Sequence, residues 1–281
     1  MVDSKHPPAT IPNSEVVKIR SRYVDQEFEI SISLPPSYSK TKNYPVLYLL
    51  DSNWFFTIVT GIVKHLNTFG FWDKIRLPDM IIVGIGYPAE GTDAITFRSR
   101  DYTPVEDNEF FQKMLVPGGA DPNFRPNSGG APEFLQFISE ELMPYIESNY
   151  RVDLNDKTIA GHSYGGLFPS YVLFTKPDMF DRYVICSPSL WYKDGVVFDY
   201  EEEYSKKHDE LPVRVFISAG INEKPPTTNI SELVRRLVEV LNERNYDGLV
   251  MEDIIFDDES HMSVIPASFT RGIISVFKLN P

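Results

Sequence analysis

The stretch KTIAGHSYGGL at residues 157–167 constrains this chain more than any other. Thr158, Ile159 and Ala160 form a short apolar run, Gly161-His162-Ser163-Tyr164-Gly165 follows, and residues 167–174 are again largely apolar. That order predicts a strand, a sharp turn and a helix, with Ser163 at the apex. It matches G-x-S-x-G, a nucleophile elbow in which a strained strand-to-helix turn exposes a serine hydroxyl. Glycines are needed two residues either side of the serine, because strand and helix pass too close there for side chains. His162 adjoins Ser163 in sequence, but neighbours on a tight turn point apart, so it is expected to pack under the elbow. A serine hydroxyl is a poor nucleophile at neutral pH, so the chain must also supply a base and a group that orients it.

Buried strands alternate with helices around this motif. Residues 15–24 and 28–34 alternate apolar and polar, as in I-S-I-S-L, across Asp25-Gln26, and predict an antiparallel hairpin. The continuous apolar runs 45–50 (PVLYLL) and 80–86 (MIIVGIG) predict strands buried on both faces, with a helix between them through Leu66. Residues 133–150 have helical spacing, with Pro144 expected to kink the helix or sit at a tightened turn. Strands are expected at 183–186, 213–219 and 250–256, and helices at 230–245 and 265–277. The charged run YEEEYSKKHDE is read as a solvated helix face. Together these predict an α/β fold, a mostly parallel central sheet opened by an antiparallel hairpin and covered by helices on both faces. Residues 1–13 are expected to be a loose arm and 14–281 a single domain. Between residues 87 and 132 the pattern dissolves into Gly, Pro, Asn and Asp, and this stretch is read as a long loop or lid.

Composition narrows the function. A net charge of −13 argues against nucleic acid or an anionic membrane as partner, since both need a basic footprint. The single cysteine, Cys186, lies in the apolar run YVICS and allows neither an intrachain disulfide nor a thiolate cluster. The five histidines, at 6, 65, 162, 208 and 261, show no HxH or HExxH spacing, and the Gly-rich stretch 118–130 lacks the lysine of a phosphate loop. No metal or other cofactor is expected. No run is long enough to span a membrane, and the N-terminus lacks the apolar core of a signal peptide. A cytoplasmic protein fits, as does a secreted or periplasmic one without its leader; the oligomeric state is not legible.

The partners of Ser163 are sought downstream, in the order acid then histidine. Two histidines follow. His208 lies in the charged run, whereas His261, in DDESHMS, stands past the strand at 250–256, where open α/β sheets carry their sites. His261 is therefore the expected base. Glu223 is the first carboxylate past the strand at 213–219 and the expected acid; Asp257, Asp258 and Glu259, and a dyad with no acid, are the alternatives. The oxyanion hole needs two backbone N–H groups. One is expected from Tyr164 and the other from Ser52 or Asn53, after the strand at 45–50.

The segments YLLDSNWFF, IIVGIGYP, FRSRDYTP, GGAPEFLQFISEELMPYIESNY, AGHSYGGL and the late SHMS together resemble the putative-esterase family of α/β-hydrolases, over about residues 23–277. GHSYGG and the RSRDYTP stretch are most similar to the siderophore trilactone esterases of that family. The resemblance implies an α/β-hydrolase fold, Ser163 as nucleophile, His261 as base, and Arg98 facing the substrate, with Arg100 as a second candidate there. Ser52 stands where the family usually has the glycine of LLDG, which puts the oxyanion hole in question. The activity implied is a serine esterase that forms an acyl-enzyme on a small-molecule ester, either a small or aryl ester or a siderophore lactone. An acyltransferase on the same site and a non-catalytic binding protein of the same fold are the other readings.

Overall fold

A computed structural model of the chain describes residues 9–88, 92–107, 127–223 and 229–277. The first eight residues of the expected arm, and residues 89–91 and 108–126 of the expected lid, lie outside the described residues.

The frame is an eight-stranded sheet. In chain order its strands are β1 (Ser14–Arg20), β2 (Glu27–Ser33), β3 (Tyr44–Leu49), β4 (Ile81–Gly86), β5 (Val152–His162), β6 (Arg182–Cys186), β7 (Arg214–Gly220) and β8 (Val250–Phe256). Their spatial order is β1-β2-β4-β3-β5-β6-β7-β8. β1 and β2 pair antiparallel, β2 pairs antiparallel with β4, and every later pairing is parallel. Because β3 and β5 to β8 run the same way, the loops leaving their C-terminal ends gather on one edge.

The helices are α1 (Ser52–Phe69), α2 (Thr92–Asp101), α3 (Ala131–Phe137), α4 (Met143–Asn149), α5 (Tyr164–Thr175), α6 (Val196–Ser205), α7 (Ile230–Arg244) and α8 (Ile265–Phe277). α1 and α8 cover one face, where Leu47, Leu49, Ala160, Val184 and Phe216 meet Phe56, Val59, Phe269 and Ile273. The alternate residues of the same strands, such as Tyr48, Ile159 and Ile185, meet α2 to α7 on the other. α5 is buried from Tyr164 to Phe174, which explains why it is apolar all round rather than striped. Among the described residues no helix is long and apolar enough to cross a membrane.

Several local expectations are corrected. β1 ends at Arg20, not Val24, because Ser21–Gln26 form the turn, closed by the Ser21 amide donating to the Gln26 carbonyl (2.8 Å). Part of the expected arm is held: Ile11 packs on the α1–α8 core, and its carbonyl accepts from Ser14 Oγ at 2.7 Å. The region expected to be one long loop contains α2, a ten-residue helix that carries Arg98 and Arg100. Around Pro144 the helix widens rather than tightens. Residues Ile138–Leu142 form a π-helical turn in which the Met143 amide donates to the Ile138 carbonyl, five residues back. That wider spacing accommodates a ring and a missing N–H. The charged run is helical only through Ser205, and it is not wholly solvated: Glu201 is buried and accepts from Arg244 Nε (2.9 Å) and Tyr246 Oη (2.8 Å).

An aromatic cluster anchors α3 to the sheet. Phe134 meets Phe28, Tyr102 and Phe168 with ring centroids 5.6, 5.4 and 5.0 Å away. Phe134→Ala is expected to destabilise the protein by about 3–5 kcal/mol, from lost transfer energy and an unfilled cavity. A urea denaturation midpoint equal to that of the unmodified protein would contradict this packing account.

Candidate active site

The elbow is as tight as its sequence implies. A Cβ at Gly161 would lie 1.9 Å from the Gly165 carbonyl oxygen, so β5 and α5 touch backbone to backbone. Ser163 between them has φ 64° and ψ −118°, an arrangement few side chains adopt. Its amide donates to the Cys186 carbonyl at 3.0 Å, and its own carbonyl accepts from Gly166 (2.9 Å), Leu167 (2.9 Å) and Ser189 (3.1 Å). The apex is thus held by α5 and by the loop after β6.

Three side chains, from the loops after β5, β7 and β8, meet at this apex. His261 Nε2 lies 3.0 Å from Ser163 Oγ, and His261 Nδ1 lies 2.7 Å from Glu223 Oε2. Glu223 comes from the loop after β7, and its side chain is fully buried. Its other oxygen accepts from Ser187 Oγ (2.6 Å) and from the Gly220 amide. Of the carboxylates considered, Glu223 is the one hydrogen-bonded to the imidazole. Asp257 and Asp258 are exposed, and Glu259 accepts from Ser263 Oγ instead. His208 is exposed and stacks on Tyr204 at 4.5 Å, away from the elbow.

Chemically, this arrangement can pass a proton between Ser163 and the imidazole. A carboxylate at Nδ1 fixes the imidazole tautomer with its lone pair on Nε2, toward the serine, and offsets the charge that appears when Nε2 takes the proton.

The loops after β3 and β5 abut, since Leu49 and Ala160 are register partners at the strand ends. Tyr164 and Ser52 each open a helix, where the first amides have no partner within the helix itself. The Ser52 side chain turns toward β4 rather than the elbow: a Cβ at Gly84 would lie 2.4 Å from Ser52 Oγ. Its hydroxyl therefore occupies room that Gly84 leaves. The Asn53 side chain also faces β4, donating to the Tyr87 carbonyl (2.8 Å) and accepting from the Tyr87 amide (2.8 Å). The two side chains thus fasten α1 to β4.

Both arginines lie against buried carboxylates. Arg98 Nε and Nη2 donate to the two carboxylate oxygens of buried Asp51 at 2.7 and 2.8 Å. Its guanidinium lies within 6 Å of the ring centroids of Trp54, Tyr102 and Tyr164 (5.9, 5.4 and 5.4 Å). Arg100 makes the same fork to buried Asp101 (2.6 and 3.1 Å), which also accepts from Tyr87 Oη (2.9 Å). Burial pushes the Asp101 carboxyl up, against the opposing pull of Arg100. Both guanidinium forks are thus spent on buried carboxylates. For Arg98 that carboxylate is Asp51, the residue before α1, around which α2 and α5 close: Arg98 donates to it, and a Cβ at Gly165 would lie 2.8 Å from its Oδ2.

Two further residues escaped the sequence reading. Ser187 holds Glu223, and the buried Ser189 places its Oγ 3.5 Å from Ser163 Oγ. The signal available was CSPSLW, a run of small residues directly past a parallel strand. Cys186 is buried, and burial pushes its thiol up, as an inert packing residue requires. Among the described residues no cluster of His, Cys, Asp and Glu could hold a metal ion.

Residues 21–245 match the model of a family described as "Putative esterase". Among curated proteins, the chain is 34% identical to ferri-bacillibactin esterase BesA of Bacillus subtilis, over 97% of this chain and 91% of the relative. It is 33% identical to a siderophore enterobactin esterase of Emericella nidulans, over 91% of each. Among solved structures, the BES protein of Bacillus cereus superposes with a TM-score of 0.84 at 32% identity, covering 98% of this chain and 100% of that one. An IroE-like serine hydrolase of Shewanella oneidensis gives 0.78 at 28% identity, covering 94% and 80%.

Removing one partner of a buried ion pair leaves the other charge stranded. Arg98→Met is expected to cost about 3–5 kcal/mol in urea denaturation, with Asp51 left uncompensated. If Arg98 instead served the substrate alone, stability would stay unchanged while KM rose.

Proposed function

Because the chain belongs to the putative-esterase family of α/β-hydrolases, we propose that it hydrolyses siderophore esters with Ser163 as nucleophile. The family makes it a carboxylic ester hydrolase. The substrate class follows from relatives named for ferri-bacillibactin and enterobactin that match nearly the whole chain. The observation that carries the mechanism is the unbroken run of hydrogen bonds from Ser163 through His261 to Glu223.

In this reading His261 Nε2 accepts the Ser163 proton as Oγ attacks the ester carbonyl. The Tyr164 amide, with an amide of Ser52 or Asn53, donates to the oxyanion that forms. The tetrahedral intermediate collapses, His261 gives its proton to the leaving alkoxide, and an acyl-serine remains. Water enters, His261 takes one of its protons, and hydroxide attack releases the acid and restores Ser163. Glu223 holds the imidazolium through its hydrogen bond with Nδ1. Arg98 acts through Asp51, fixing the turn that precedes α1, rather than by touching the substrate.

Ser163→Ala is expected to reduce kcat by roughly 10⁴-fold or more. The measurement is hydrolysis of a panel of p-nitrophenyl esters, a feruloyl ester and a catecholate trilactone. Full hydrolysis of p-nitrophenyl acetate by that variant would overturn the nucleophile. A trilactone cleaved no faster than simple esters would overturn the substrate class alone. Glu223→Gln is expected to lower kcat on every ester by about 10²- to 10⁴-fold with KM little changed, since it disturbs the tautomer and not binding; an unaltered kcat would reduce the site to a Ser–His dyad.

A further inference from the structure

The sequence places His162 beneath the elbow, and the structure puts it against the catalytic imidazole. His162 is the last residue of β5 and shares the face of Ala160, toward α1 and α8. It is 2% exposed. Its ring centroid lies 4.5 Å from that of His261, with the planes 39° apart. Phe55 of α1 meets it edge-on at 6.0 Å, and Phe269 of α8 backs Phe55 at 5.6 Å. The ring also lies against the His261 backbone, a contact that favours its protonation but is outweighed by burial.

We propose that His162 is a positioning residue: its uncharged ring is the surface on which His261 is held and against which the catalytic imidazolium rests. This inference builds on the esterase reading above. The ring is enclosed between Phe55 and the His261 ring, so its aromatic face is what the site meets. The groups around it keep it neutral. His261 faces it from the loop after β8 and Arg98 from α2, both of which, after burial itself, disfavour its protonation. α1 and α8 offer Phe55 and Phe269, and its β6 register partner Cys186 carries a thiol that burial keeps protonated. A neutral π face attracts a cation set against it, whereas a charged ring would repel one. When His261 takes the Ser163 proton, the positive charge therefore lies between the Glu223 carboxylate and the His162 ring.

The test has an arm that needs no variant. Side-chain NMR of the ring nitrogens in the unmodified protein, between about pH 5 and 9, should show His162 staying neutral; a His162 that titrates in this range overturns the proposal. His162→Phe keeps the aromatic face and His162→Leu keeps only the bulk. His162→Leu is expected to lower kcat on p-nitrophenyl acetate by roughly 3- to 30-fold with KM little changed. It should also move the acid limb of the rate profile to lower pH, because the imidazolium loses its π contact. His162→Phe should restore both rate and limb. A folded His162→Leu with unchanged kcat and limb, or a His162→Phe no better than His162→Leu, overturns it. Should His162→Leu fail to fold, the NMR titration decides. Failure of the esterase reading appears separately, as an active Ser163→Ala variant.

Discussion

The contact on which the site rests is the crossing of β5 and α5, where the backbone at Gly161 touches that at Gly165. No side chain fits between them, so the turn joining strand to helix has a single course, and Ser163 is left at a positive φ. Such a conformation costs of order 1–3 kcal/mol and persists only where its surroundings over-determine it. Here they do. α5 is wholly buried, Cys186 and Ser189 hold the apex from the next strand and its loop, and a Cβ at Gly165 would meet Asp51 Oδ2 at 2.8 Å.

Around that crossing the charged groups divide into two kinds. Asp51 with Arg98, and Asp101 with Arg100, are closed pairs whose members satisfy one another. They tie α2 to the end of β3 and to Tyr87 past β4. Glu223 is different: buried and fully hydrogen-bonded, it nevertheless presents one oxygen to a histidine that is one-third exposed. The gradient of exposure from Glu223 through His261 outward is what lets a buried charge influence chemistry at the surface of the sheet edge.

Much of this was legible in the sequence, for physical reasons. Apolar runs such as PVLYLL must be buried on both faces, and the position of His261 past the strand at 250–256 placed it at the C-terminal edge of the sheet. Glu223 was reached by the same argument and preferred to Asp257, Asp258 and Glu259, although its contact with His261 depends on how the loop after β7 folds back. What stayed hidden was pairwise. Arg98 reads alike whether it meets a substrate or Asp51, which lies 47 residues earlier. α2 was missed because its residues, TDAITFRSRD, are mostly polar and carry no helical stripe. The π-helical turn was invisible for a related reason: an extra residue per turn leaves the apolar spacing nearly intact while changing which carbonyl each amide finds.

The distance along the chain between Ser163 and His261 has a further consequence. The two are 98 residues apart, and Glu223 stands 38 before the histidine. Their meeting therefore requires β6, β7 and β8 to be docked in order and in register, and no local segment can reproduce it. Contacts of such separation form only after large loop-closure entropy has been overcome, so the site is a late product of assembly. On the proposal that Ser163 is the nucleophile, its reactivity toward an active-site probe reports on the integrity of the whole C-terminal half of the sheet. With one buried cysteine and no disulfide to trap partly folded chains, the appearance of that reactivity during refolding marks the moment at which the half-sheet closes.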